Sequence, residues 1–139
     1  MTSYFDASVL VSMFVRDEHT DRVHRWIATL SDRPLVSNWA VTEFTSALGL
    51  RRRIDVLSRD EREQIELALD GWLYSADRIE VAAADLTFAR FLMRSEATPL
   101  KAPDALHLAI AMRWGARLAT TDRQLGRAAE EVGVQVEDL

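Results

Sequence analysis

Short apolar runs alternate along the chain with longer stretches in which apolar residues recur every three or four positions, the first pattern suiting strands and the second helices. "TSYF" reads as a short strand ending at Asp6. "ASVLVSMF" continues as a helical turn or two, and "DEHTDRVHRWIATL" as an amphipathic helix. "PLVS" is a second strand, after which Asn38 is placed to cap the helix "WAVTEFTSALGLRRR". Ser58, with Glu61 three residues on, has the form of a capping box and opens a helix to about Tyr74. Then come a strand "RIEV", a helix "AADLTFARFLMRSE", the almost wholly apolar helix "KAPDALHLAIAM", a strand "RLAT", a helix "DRQLGRAAEEV" and a last short strand "VQV". Strands alternating with helices imply right-handed crossovers and a mostly parallel sheet covered on both faces. The expected fold is one α/β domain over residues 1–139: a three-layer α/β/α sandwich with a central, mostly parallel sheet of four or five strands.

Composition narrows the chemistry. With 139 residues, 48% of them hydrophobic, the chain can bury a core without covalent staples. It has no Cys, which removes disulfides and thiolate metal sites, and His19, His24 and His107 have no usual zinc spacing. Any metal would have to be held by oxygen. The start of the chain lacks a basic region followed by a long apolar run, and no stretch approaches the roughly 18 apolar residues of a membrane span. A cytoplasmic location away from membranes is expected. The formal charge is -5, yet the basic residues are nearly all Arg, Lys101 being the one Lys, and Arg51, Arg52 and Arg53 stand together. That trio falls in the last turn of its helix, where cations meet the negative end of the dipole, and is also a candidate nucleic-acid contact.

Parallel α/β sheets bind ligands beyond the carboxyl ends of their strands. Asp6 directly follows the first strand, Asp122 follows "RLAT", and Asp104 begins a helix apolar enough to pack against the sheet. Glu43 lies about a turn inside the helix after the second strand, flanked on its side by Ala40 and Ala47. Acids such as Asp55, Asp60, Glu63 and Glu130 fall instead on polar faces or in turns. Singly, Asp6 and Asp122 could be helix caps, Asp104 a complement to a dipole and Glu43 an exposed helical residue. Jointly, carboxylates within about 4 to 6 Å repel by about 4 kcal/mol per close pair at an effective dielectric of about 20. A divalent cation relieves that cost, and an all-oxygen site suits Mg²⁺ or Mn²⁺. Such a site activates a water against a phosphodiester.

Four stretches carry a family resemblance: "YFDASVLV", "NWAVTEFTSAL" around Glu43, "APDALHLAIA" and "LATTDRQL". In order and wording they resemble the acidic motifs of the PIN domain. Over its whole length the chain is similar to VapC toxins of bacterial toxin-antitoxin pairs. The resemblance implies that Asp6, Glu43, Asp104 and Asp122 bind Mg²⁺ or Mn²⁺ and cleave RNA, with Ser8, Thr120 and Thr121 as supporting polar residues. It further implies a homodimer, a cognate antitoxin protein, an RNA target such as a tRNA or rRNA loop, and inhibition of translation. Two alternatives stand beside it. One is an aspartate-dependent phosphatase or phosphoacceptor with Lys101 as helper, although "DASVL" lacks the second Asp expected there. The other is a non-catalytic PIN-like interaction module.

Of the remaining residues, His107 is expected to be a hydrogen-bonded core residue, with a role in orienting Asp104 as the sharper alternative. His19 and His24 point different ways on one helix, so an acid-base pair of histidines is not expected. The aromatic residues fall mostly within apolar faces, with Trp39 set near the proposed cleft. Val9 to Phe14 and Trp26 to Leu30 are candidate surfaces for dimer or antitoxin contacts.

Overall fold

Tyr4 and Phe5, adjacent in the chain and both fully buried, point to opposite sides of a sheet, and each joins one of two hydrophobic cores. A computed structural model describes residues 1–95 and 99–139. Within them lie the strands β1 (Ser3–Phe5), β2 (Leu35–Ser37), β3 (Asp77–Ile79) and β4 (Arg117–Ala119). All three pairings are parallel, in the order β3-β2-β1-β4, with Tyr4 in register with both Leu35 and Leu118. The helices are α1 (Ala7–Phe14), α2 (Thr20–Ile27), α3 (Asn38–Arg53), α4 (Arg59–Trp72), α5 (Ala83–Met93), α6 (Ala102–Arg113) and α7 (Arg123–Glu131).

On one face Tyr4, Leu35 and Leu118 pack with Ala89, Leu108 and Leu125 from α5, α6 and α7. On the other, Phe5, Val36 and Ala119 pack with Val9, Leu10, Phe44 and Leu69 from α1, α3 and α4. The molecule is therefore a three-layer α/β/α sandwich, as its alternating pattern predicts. The seven residues Ala105 to Ala111 of α6 are all buried, which explains why this helix is apolar all round. The apolar run at Val9 and Leu10 is turned inward, and Trp26 lies against Phe5 with ring centroids 5.2 Å apart. No helix among the described residues is long and apolar enough to cross a membrane.

Several boundaries differ from the sequence reading. The last segment makes a single parallel bridge, Val136 to Leu118, rather than a full fifth strand. The third strand starts at Asp77, whose N–H donates to the Pro34 carbonyl at 2.8 Å, and ends at Ile79. The cap of α3 is Ser37, whose Oγ accepts from the Ala40 N–H at 3.0 Å. Asn38 instead begins the helix, and its Oδ1 accepts from the Val81 N–H at 3.1 Å, tying α3 to the chain beyond β3. The helix expected to run to Glu96 ends at Met93, and Glu96 itself lies outside the described residues. The capping box forms as read, with bonds of 3.1 and 3.2 Å between Ser58 and Glu61, although the helix gives way at Leu73 to a 3₁₀ turn.

Two helices of one layer are locked by an ion pair. Asp85, 1% exposed, accepts from the Arg113 Nε at 2.6 Å and from its Nη2 at 2.9 Å, and also from the Ala82 N–H at the start of α5. Removing the cation would strand a buried charge. Arg113→Ala is expected to destabilise the fold by about 3 kcal/mol, seen as a lower urea midpoint at unchanged slope.

Candidate active site

The sheet order itself selects an edge. From β1 the chain moves outward to β2 and β3, then returns to place β4 on the opposite side of β1, so the carboxyl ends of β1 and β4 flank a topological switch point. Asp6 leaves β1 there and Asp122 follows β4. Each does cap its helix: Asp6 Oδ1 accepts from the Val9 N–H at 3.1 Å, and Asp122 Oδ1 from Gln124 and Leu125 at 2.9 and 3.2 Å. Capping leaves Asp122 exposed, with its second oxygen free of the cap.

Asp6 is 3% exposed, and hydroxyls solvate it in place of water. Ser8 Oγ donates to Oδ1 and Thr120 Oγ1 to Oδ2, both at 2.6 Å. The same two hydroxyl oxygens accept from backbone: Ser8 from the Thr121 N–H at 2.9 Å and Thr120 from the Asp122 N–H at 3.0 Å. Ser8 and Thr120 thus stitch the β1–α1 junction to the β4–α7 junction, while Thr121 contributes its backbone. Burial pushes the Asp6 carboxyl above its ordinary range, opposed by the His107 ring and by these hydrogen bonds.

Asp104 is the third residue of α6, after Ala102 and Pro103, with Lys101 at the cap position. It is half-buried. Burial raises its pKa first, then the Asp122 carboxylate, with Glu43 and Asp6 adding to the rise and His107 opposing it. Asp104 therefore feels the charge of each of the other three acids. Glu43 reaches that edge from α3, whose Ala40, Phe44 and Leu48 face the core beneath. One of its oxygens, Oε2, bonds the His107 Nε2 at 3.1 Å; the other, Oε1, is buried with no hydrogen-bond partner.

His107 is a hydrogen-bonded core residue, as expected, but its acid partner is Glu43 rather than Asp104. Its Nδ1 meets the Tyr4 hydroxyl at 2.7 Å, and that hydroxyl meets Ser37 Oγ at 2.7 Å. Burial drives the Tyr4 pKa far up, so the phenol stays neutral. Sequence reasoning passed over Tyr4 and Ser37. The available signal was a phenol and a hydroxyl on inward positions of strands that otherwise carry apolar residues.

Among the described residues, no three Asp, Glu or His side chains stand close enough to share a metal ion as placed. The donor set nevertheless fits a hard divalent cation: carboxylate and hydroxyl oxygens, mutual repulsion on Asp104, and a bare buried oxygen on Glu43. The Arg trio is elsewhere. Arg51 lies eight residues beyond Glu43, about 12 Å along α3 at about 1.5 Å per residue, with Arg51 bonded to the Ala47 carbonyl and Arg52 to Asp55. Beside the acids is a largely apolar cavity of about 500 Å³ whose walls include Trp39, Thr42, Pro103 and Leu106.

The model of the PIN domain family matches residues 3–131. The chain belongs to the PIN-domain family. Solved PIN-like structures share its fold at low identity. VapC20 of Mycobacterium tuberculosis, a sarcin-ricin loop cleaving toxin, is 18% identical, with a TM-score of 0.73 over 91% of this chain and 95% of that one. FitAcB of Neisseria gonorrhoeae is 17% identical, with a TM-score of 0.79 over 99% of this chain and 97% of its own. VapBC2 of Rickettsia felis, solved with a DNA fragment from its promoter, is 15% identical, with a TM-score of 0.76 over 100% and 99%. No curated protein matches.

The crowded acids of this PIN domain give a signed pH effect. Asp104 titrates higher folded than unfolded, so the folded state holds its proton longer and stability falls as pH rises from the ordinary carboxylate range through the folded value. At neutral pH, in chelator, Asp104→Asn is expected to melt higher than the wild type. The gain should vanish on acidification below the ordinary Asp range, where both forms are neutral; an equal gain at every pH would show that charge is not its cause.

Proposed function

We propose that this PIN domain is a divalent-metal-dependent endoribonuclease acting as the toxin of a toxin-antitoxin pair. The observations that carry the reading are the repulsion that Asp122, Glu43 and Asp6 exert on Asp104 and the bare, buried oxygen of Glu43. Fold likeness to VapC and FitA-type proteins supports the toxin role and a cognate antitoxin as partner, and the same proposal includes a homodimer and translation as the process inhibited. The substrate class is a tRNA or rRNA loop.

Asp6, Glu43, Asp104 and Asp122 would hold Mg²⁺ or Mn²⁺, with Asp6 also the anchor on which the two loops close. The cation would neutralise the acids and polarise a phosphate oxygen. The helices α1, α3, α6 and α7 all begin at this edge, and their positive ends favour a bound phosphate. Ser8 and Thr120 hold the anchor acid in one rotamer. No histidine is placed to take a proton from an RNA 2'-hydroxyl: His107 is 2% exposed with both ring nitrogens engaged, His19 stands at the cap position of α2 and His24 lies within that helix.

Purified protein should cut RNA with Mn²⁺ or Mg²⁺, stop with chelator, and lose the metal-dependent cleavage in Asp6→Asn and Asp104→Asn. Cleavage by folded Asp104→Asn at the wild-type rate would remove the reading. A substrate carrying a 2'-deoxy sugar at the cut site should still be cleaved. Binding without any cleavage of that substrate would mean that the 2'-hydroxyl is the nucleophile.

A further inference from the structure

The buried chain of polar atoms from Ser37 to Glu43 joins β2, β1, α6 and α3. It is too costly in desolvation to be idle packing unless every member is satisfied. We infer that His107, seated on Tyr4, is the positioning residue for Glu43: it engages one carboxylate oxygen and leaves the other bare for a divalent cation. This rests on the metal-dependent reading above.

Hydrogen-bond bookkeeping sets the direction of the chain. Ser37 Oγ already accepts from the Ala40 N–H at the start of α3, so its own proton is available to Tyr4. The Tyr4 hydroxyl then donates to His107 Nδ1, and the remaining ring proton sits on Nε2, aimed at Glu43 Oε2 at 3.1 Å. In the reverse order the Ser37 proton has no acceptor in the chain, and a bare Nε2 would face a carboxylate oxygen lone pair to lone pair. A glutamate on an exposed helix face samples many rotamers. Here Oε2 is pinned by a ring that is itself locked from behind, and Oε1 is left buried without a partner. An unsatisfied buried carboxylate oxygen, on a side chain that also repels Asp104, is suited to a cation.

The metal-free protein, labelled with ¹⁵N-histidine, should show a proton on His107 Nε2, and a bare Nε2 would overturn the inference. Calorimetric titration with Mn²⁺ then tests its consequence. His107→Asn, which loses the donor toward Glu43, should weaken Mn²⁺ binding by about 10 to 100-fold. His107→Gln, whose terminal amide can reach Oε2, should recover most of that loss. Tyr4→Phe keeps the core volume, frees the ring tautomer and should weaken binding by less, within about tenfold; it decides the matter should His107→Asn not fold. Wild-type affinity in folded His107→Asn or, failing that, in Tyr4→Phe would overturn the positioning role alone. Absence of Mn²⁺ binding by the wild type would overturn the metal-dependent function and the inference with it.

Discussion

Asp6 is a carboxylate at the end of a central strand, nearly sealed from water, and the hydroxyls that replace its solvent also hold the surrounding loops. Ser8 and Thr120 each donate to Asp6 and accept a backbone N–H from the segment after β4. An unpaired buried carboxylate would cost several kcal/mol, about the margin by which a small domain is stable at all. The β1–α1 and β4–α7 junctions are therefore not independent loops. They close around one charge, and this closure requires β1 and β4 to be parallel neighbours, as they are.

That adjacency has a consequence for the rest of the edge. In an all-parallel sheet every following helix begins at the carboxyl edge, so α1, α3 and α7 bring their positive ends to the same place, and α6 joins them from the long return crossover. Helix starts attract anions, and the chain supplies its own in Asp6, Asp104, Asp122 and Glu43. The dipoles soften the crowding without removing it, since Asp104 still feels the other three acids. The repulsion left on Asp104 is what a divalent cation would relieve.

Rigidity comes from the two helices that carry acids without capping themselves. α6 is buried for most of its length, which holds Asp104 at its start and His107 one turn on. α3 works on two sides, its Ala40, Phe44 and Leu48 in one core while Trp39 packs toward the other and Glu43 reaches the His107 ring. The polar chain Ser37–Tyr4–His107–Glu43 thus crosses from one layer to the other around the sheet edge, coupling the strand registers to the placement of a side chain.

The alternation of short apolar runs with helical patterns determined the sandwich, because a parallel sheet buried on both faces leaves little other use for such a pattern. Position after a strand likewise picked out Asp6 and Asp122, since the chain must turn there. What periodicity could not carry was which polar group meets which. Asn38 and Ser37 are both good caps in isolation. Ser37 takes the role because β1 sets Tyr4 beside it, while Asn38 is drawn to Val81 from a segment 43 residues away. Glu43 and His107 are 64 residues apart, and nothing local to either announces the other. The "VQV" segment kept only a single bridge. Local pattern decides the elements and their ends because sterics and caps act over a few residues; partners across the sheet edge are decided only by packing, which brings distant polar atoms within hydrogen-bond reach and makes leaving them unpaired costly.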